Sequence, residues 1–319
     1  MDYKKDILVT VVSLAYNHEP YIRQCLEGFV MQKTNFAFEV LIHDDASTDG
    51  TADIIREYEL KYPNIIKPIY QKENQYSKGV FIEKTFLYPN AKGKYIAECE
   101  GDDYWIDPYK LQKQVDFLEA NPDYGLVYTD LDMFYVAKNQ VKRDYYKAND
   151  IKTFDGYVFE KLMDPQYYFV RTLTTMVRTE LAKKAIDFCY DHQKDFDTFD
   201  LAYFLELSRY TKFKYLSDTT SVYRILSDSM SNFSDVRKRY SWHKKVQKIR
   251  SFYADYYGVS DEIKFNLKKY HIKSDFFDAL AMGDRKMVLS LYPRILELNI
   301  NLSLKNKILF YLIKFRFKR

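Results

Sequence analysis

The sequence predicts an α/β protein, a mostly parallel sheet flanked by helices with a helical region at its C-terminal end. Three observations carry this. Over the first 130 residues, β-branched apolar runs alternate with segments whose apolar residues recur at helical spacing. Strand–helix–strand order implies right-handed crossovers and parallel pairing, with both sheet faces covered. Beyond about residue 226 the pattern turns helical, without glycine-rich loops. The division expected is residues 1–225 as one α/β domain, with halves meeting near residue 130, and 226–319 as the helical region. With 319 residues, 47% hydrophobic and 29% charged, the chain has globular composition and length for a large core.

Ile7 to Leu14 is a β-branched apolar run and reads as a buried strand. Pro20 to Met31 has Ile22, Leu26, Phe29 and Val30 at helical spacing, and Pro20 suits a first turn. Phe38 to Ile42 is the second strand and runs into His43-Asp44-Asp45. Thr51 to Leu60 is a helix. Ile65 to Tyr70 is a third strand, and Pro68 within it marks either an edge or an irregular strand. Phe81 to Tyr88 reads as a short helix, Lys94 to Cys99 as the fourth strand, Pro108 to Ala120 as a helix and Gly125 to Thr129 as the fifth strand. Residues 138–155 read as polar and irregular. Helices follow at Leu181 to Tyr190 and Asp200 to Arg209, then short strands at Phe213 to Leu216 and Ser221 to Ile225.

Composition excludes several functions. Lys+Arg 49 against Asp+Glu 45 leaves a net charge of +4, too little for a global nucleic-acid-binding field. Cys25, Cys99 and Cys189 are scattered and form no C-x-x-C. They support neither a disulfide framework nor a zinc site, and they fit a reducing compartment. No G-x-G-x-x-G or G-x-x-x-x-G-K-[ST] occurs, which removes dinucleotide and P-loop readings. A nucleotidyltransferase would need a basic, glycine-rich loop near the N-terminus, and residues 13–23 lack one. The five histidines show no H-E-x-x-H spacing. No apolar run is long enough to cross a bilayer, so a cytoplasmic location is expected. The basic, amphipathic stretch Leu302 to Arg319 reads either as a helix lying on the inner membrane surface or as a docked helix with a charged outer face.

Two acidic clusters fall at the carboxyl ends of predicted strands, where ligands bind in parallel sheets. The first is Asp44-Asp45-Ala46-Ser47-Thr48-Asp49-Gly50-Thr51. An EF-hand beginning at Asp45 would have Arg56 in place of its bidentate Glu, so that reading fails. Ser47 or Asp49 can cap the following helix, which leaves the paired Asp44-Asp45 unexplained. The second is Glu100-Gly101-Asp102-Asp103. Carboxylates this close repel unless a cation or donor joins them, and hard oxygen ligands favour Mg²⁺ or Mn²⁺. Trp105 reads as pocket lining or as core. Lys78 lies in a polar loop able to close over a phosphate, and Tyr223-Arg224 can brace the site or form an internal ion pair.

Three blocks, VTVVSLAYNHEPYIRQCLEGFVMQ, FEVLIHDDASTDGTADII and AKGKYIAECEGDDYWIDPYKLQKQVDFL, together resemble the nucleotide-binding half of family 2 glycosyltransferases over about residues 7–130. A fourth, DTFDLAYFLELSRYTKFKYLSDTTSVYR, resembles the family's acceptor-side segment. The resemblance implies a GT-A, Rossmann-like fold and inverting transfer from a nucleotide sugar, UDP being expected. It places Ala15, Tyr16 and Asn17 against the nucleotide, and one of Asp44 and Asp45 on the base. Glu100-Gly101-Asp102 matches the D-x-D motif and, with Asp103, is implied to face the nucleotide sugar, Asp102 being the implied ligand of Mn²⁺ or Mg²⁺. Glu at the first position lengthens that side chain by one methylene. Asp200 matches the general base, with Asp195 and Asp197 as competitors. A glycan or lipid-linked saccharide of a bacterial surface polysaccharide is the implied acceptor. The alternative is a non-catalytic nucleotide-sugar-binding or scaffold module.

Overall fold

In the computed structural model, residues 6–196, 198–226 and 235–315 are described. Among the described residues nine strands form one sheet: β1 Ile7–Ala15, β2 Ala37–Asp44, β3 Ile66–Tyr70, β4 Tyr95–Glu98, β5 Tyr104–Trp105, β6 Tyr124–Tyr135, β7 Gln140–Lys142, β8 Met176–Arg178 and β9 Lys212–Ile225. The helices are α1 Glu19–Val30, α2 Thr51–Lys61, α3 Lys110–Ala120, α4 Tyr145–Ala148, α5 Phe159–Met163, α6 Thr179–Asp191, α7 Asp200–Tyr210, α8 Val236–Tyr257, α9 Asp261–Met282, α10 Arg285–Glu297 and α11 Leu304–Phe315. The sheet order is β3-β2-β1-β4-β8-β6-β9-β5, with β7 on β6.

The run β3-β2-β1-β4 is parallel throughout, and the β-branched residues Val9, Val11, Val12, Val40 and Ile42 of β1 and β2 are buried. β3 is the edge strand, and Pro68 sits within it. On the other side the sheet is mixed: β8 runs antiparallel to both β4 and β6, and β9 runs parallel to β6. Because the chain passes from β1 to β2 and β3 on one side and then to β4 on the other, the order reverses at β1. In open α/β sheets ligands bind beyond the carboxyl ends of the strands at such a switch point.

Several elements differ from the expectation, each for a local reason. Residues 81–88 do not form an α-helix. A π-turn, Glu83–Leu87, passes into a tight turn at Tyr88–Asn90, because Pro89 has no N–H with which to continue an α ladder. Asn90 Nδ2 donates to the Phe86 carbonyl at 2.8 Å in its stead. The fifth strand runs on to Tyr135, through the buried carboxylates Asp130 and Asp132. The two strands expected around Ser217–Thr220 are one strand, β9, whose register against β6 shifts at Thr129–Leu131.

The chain divides into two compact units. The first comprises Met1–Phe159, Tyr168–Gln193 and Ala202–Ile225, and contains the sheet. The second comprises Glu160–Tyr167, Lys194–Leu201 and Leu226–Arg319. Its core gathers Ile272, Phe276, Leu280, Val288, Ile295 and Phe310 from α9, α10 and α11. Three of its described helices begin with side-chain caps: Asp235 accepts from the Arg237 N–H, Ser260 from the Ile263 N–H and Asp284 from the Met287 N–H. No helix among the described residues is long and apolar enough to cross a membrane.

Candidate active site

Three loops meet at the carboxyl ends of β2, β1 and β4. The turn after β1 is fastened to the loop after β2. Asp45 N–H donates to the Ala15 carbonyl at 3.0 Å, Asn17 N–H to Ser47 Oγ at 2.9 Å, and Thr48 N–H to Asn17 Oδ1 at 2.8 Å. Asn17 holds φ +55°, and Ala46 holds φ +61° between Asp45 and Ser47. Few non-glycine residues take that conformation, so the interloop bonds hold a strained backbone in place. Asp49 Oδ1 accepts from the Thr51 N–H at 3.0 Å just ahead of α2, whose cap position is Gly50, whereas Ser47 serves the turn after β1.

The acidic turn after β4 abuts the same place. Gly101 N–H donates to the Leu14 carbonyl at 2.8 Å. A Cβ at Gly101 would lie 2.8 Å from His18 Nδ1 and 3.0 Å from the Leu14 carbonyl, so only glycine lets this turn approach β1 so closely.

The carboxylates of the two clusters are not equivalent. Asp45 is buried and accepts from the backbone N–H groups of Gln75 and Tyr76, at 2.7 and 3.0 Å. It thus anchors the loop that carries Lys78, and Lys78 itself pairs with Glu73 at 2.5 Å. Asp44 is buried too, with Oδ2 only 3.4 Å from the Ser47 N–H and Oδ1 without a hydrogen-bond partner. Asp103 accepts from the Arg224 N–H at 2.7 Å; burial, reinforced by Asp102 beside it, pushes its carboxyl well above the usual range. Asp102 holds a buried Oδ1 with no partner. A buried, unpartnered carboxylate oxygen calls for a donor or a cation, and Asp44 and Asp102 both have one. Glu100 is exposed at the head of the turn.

Two expected site residues are corrected. Trp105 does not line a pocket. It is 2% exposed, edge-on to Phe29 at 4.9 Å, and its indole N–H donates to the Leu173 carbonyl at 3.0 Å. Asp103, read as facing the nucleotide sugar, points instead into the protein and ties the acidic turn to β9. Tyr16 is 44% exposed and Ala15 is buried, so between these two the turn offers the tyrosine side chain and only backbone at the alanine.

Two more neighbours join the site: Arg224, which the sequence offers as a brace or an ion pair, and His18, which sequence reasoning missed. Arg224 reaches back from β9, its guanidinium donating to the Asp102 carbonyl and to Gln24 Oε1, with the rings of Tyr104 and Tyr21 at 4.3 and 5.2 Å. The pairing of β5 with β9 brings it there. His18 leaves Nδ1 buried and unpartnered, and burial lowers its pKa. Its adjacency to Asn17 was the only signal. Asp200 opens α7 and groups with the second unit. Asp195 ends a tight turn, Gln193–Asp195, and Asp197 lies outside the described residues.

Among the described residues no three His, Cys, Asp or Glu side chains cluster into a metal cage. A divalent ion held here would therefore take few protein ligands. That fits an ion completing its shell with phosphate and water, and the unpartnered Asp102 Oδ1 is the group suited to it.

Comparison with known proteins gives the same picture. The family model described as Glycosyl transferase family 2 matches residues 10–175. The Escherichia coli UDP-Glc:alpha-D-GlcNAc-diphosphoundecaprenol beta-1,3-glucosyltransferase WfaP is 33% identical over 134 residues, covering 42% of this chain and 49% of that protein. The matches span 35% to 52% of the length of the curated relatives, about half at most. Staphylococcus aureus TarS, solved with UDP-GlcNAc, superposes with a TM-score of 0.53 over 90% of this chain and 89% of its own at 16% identity. The Pyrobaculum calidifontis mannosyltransferase PcManGT, solved with GDP-Man and Mn²⁺, gives 0.58 over 97% of this chain and 81% of its own, also at 16% identity. At that identity the likeness is one of fold.

Proposed function

This chain belongs to glycosyl transferase family 2, and from that membership we propose that it moves a sugar, with inversion, from a UDP-sugar to a hydroxyl of a bacterial surface glycan or its lipid-linked precursor. The single observation that carries the donor site is the pair of buried, unpartnered carboxylate oxygens on Asp44 and Asp102 at the switch point of the sheet. Asp44 Oδ1 is suited to a base N–H, as uracil N3–H provides. Asp45 serves the loop that begins at Gln75. Ala15, Tyr16 and Asn17 form the turn against the base and ribose, and Glu100, Gly101 and Asp102 face the diphosphate. Residues 1–130 handle the donor and 131–225 the acceptor. The three cysteines, buried and in no disulfide, fit a cytoplasmic setting.

Asp102 would hold Mn²⁺ or Mg²⁺, which supplies positive charge to the diphosphate as it leaves. This chain's own residues do the rest. Arg224 and Asp103 fix the acidic turn, and the carboxylate of Asp200 takes the acceptor's proton. The acceptor oxygen bonds to the anomeric carbon as the carbon–oxygen bond to the phosphate breaks, and the nucleoside diphosphate leaves with that electron pair. One displacement inverts the anomeric centre. A positioned base contributes about 10²–10⁴ in rate.

A thermal-shift series with UDP-sugars, GDP-sugars and CMP-sugars, with and without Mn²⁺, followed by transfer assays, tests this. The expected result is a Mn²⁺-dependent shift with UDP-sugars that Asp102→Ala abolishes. Asp200→Asn should keep the shift and lose transfer by about a hundredfold or more. Unchanged activity in Asp102→Ala would overturn the metal assignment. Unchanged transfer in Asp200→Asn would move the base to Asp195 or Asp197. Donor binding without turnover on any acceptor would favour a scaffold module.

A further inference from the structure

Helix α11 presents a second feature, independent of the donor site. Its inner side is docked: Phe310 is buried, its ring stacks on Tyr292 at 3.7 Å, and Leu309 and Ile313 pack on the same core. Its outer side is apolar and open. Leu304, Ile308, Tyr311, Leu312 and Phe315 are 75%, 52%, 51%, 60% and 54% exposed. At about 100° per residue these side chains fall within an arc of roughly 100°, opposite Phe310 and Ile313. By the same geometry Lys305 lies along one flank of the stripe, and Lys307 and Lys314 along the other. No acidic residue occurs from Asn299 onward, and the sequence continues Arg316-Phe317-Lys318-Arg319 beyond the described residues.

From this we infer that α11 lies on an anionic lipid surface, the apolar stripe entering the headgroup boundary and the lysines meeting lipid phosphates. A helix docked by one side normally turns charge outward; this one turns leucine, isoleucine and aromatic rings outward, with cations only at the margins. A second copy of the chain is the poorer occupant. Pairing two such faces would bring lysine margins together with no carboxylate between them, whereas an anionic bilayer supplies the opposite charge along both flanks. Tyr311 and Phe315 add aromatic bulk suited to the interface.

The test is flotation of the full chain with vesicles of phosphatidylglycerol in phosphatidylcholine, against vesicles of phosphatidylcholine alone. The wild type should partition to the anionic vesicles at least about tenfold more strongly, and added salt should weaken that binding. I308S/L312S and K305Q/K307Q/K314Q should each lose about tenfold or more, with circular dichroism and melting unchanged because every altered side chain is exposed or lies along the flank. Three results would overturn the inference: no flotation with anionic vesicles at low salt, equal binding to both vesicles, or an oligomer that I308S/L312S dissolves. The last would make a second copy the occupant. None of these readouts depends on sugar transfer.

Discussion

At the scale of single residues, burial decides what a charged side chain does. Lys110 is wholly buried; its ammonium contacts Gln114 Oε1 at 2.7 Å, the Thr174 carbonyl at 3.2 Å and the face of Trp105 at 4.9 Å. Burial outweighs these partners and pushes its pKa down to about 7. In the unfolded chain the group titrates near ~10.4. Between those values the unfolded state holds a proton that the folded state has released, so stability rises with pH across the window, by up to about 1.4 kcal/mol per pH unit. Denaturation of the wild type and of Lys110→Met from about pH 6.5 to about 9.5 should show that slope in the wild type alone, since Met keeps the volume and removes the proton. Parallel slopes would mean the ammonium stays charged on its three partners. Ala46 makes a smaller case. With φ at +61° it carries the left-handed penalty of about 1–2 kcal/mol, which exceeds glycine's extra unfolded-state entropy, so Ala46→Gly should gain about 0.5–1 kcal/mol in chemical denaturation; a loss would mean the interloop bonds already offset the strain.

At the scale of elements, the acidic turn is held from behind by β9. Arg224 serves it twice, through its guanidinium on the Asp102 carbonyl and its N–H on Asp103. Arg224→Gln keeps the N–H and loses the guanidinium, leaving the Asp102 carbonyl without its charged donor and the Tyr21 and Tyr104 rings without a cation. A stability loss of about 2–3 kcal/mol is expected, with a weaker donor-induced thermal shift. A lowered melting temperature with the full donor shift would confine Arg224 to folding. The same turn shows where sequence was readable and where it was not. The strands β1, β2 and β4 are apolar runs, and both acidic clusters at their ends were visible as clusters. Which carboxylate was free was not visible, because that depends on Gln75, Tyr76 and Arg224, residues distant in sequence from their acceptors. β6 was cut short at Thr129 because Asp130 and Asp132 look like a strand's end. In the fold they are acceptors for the backbone N–H groups of Tyr146 and Asp144, so the ladder continues past them. β8, three residues long, carries too little pattern to be seen.

At the scale of the whole sheet, the two ends of the same strands do different work. The carboxyl ends of β1, β2 and β4 bear the unpartnered Oδ1 atoms of Asp44 and Asp102. The amino ends are tied by Thr10, whose hydroxyl donates to the buried Glu39 Oε1 at 3.0 Å and accepts from the Gly93 and Lys92 N–H groups at 2.9 and 3.1 Å. A Cβ at Gly93 would come 2.4 Å from the Thr10 nitrogen, so β1 and the chain entering β4 meet without room for a side chain. Thr10→Val keeps the shape and leaves the Gly93 N–H without its acceptor, at a cost of about 1–3 kcal/mol. Because Thr10 is removed from the proposed donor site along the strands, the variant should melt lower yet leave the proposed Mn²⁺-dependent binding of a UDP-sugar unchanged. Asp102→Ala should do the reverse, melting normally or higher because it removes a buried unpartnered oxygen, and losing the metal-dependent shift. Calorimetric melting and donor titration on both variants measure the contrast. If Thr10→Val weakened donor binding more than about twofold in the folded protein, the two ends would be coupled through the sheet, and the division of labour argued from the switch point would fail.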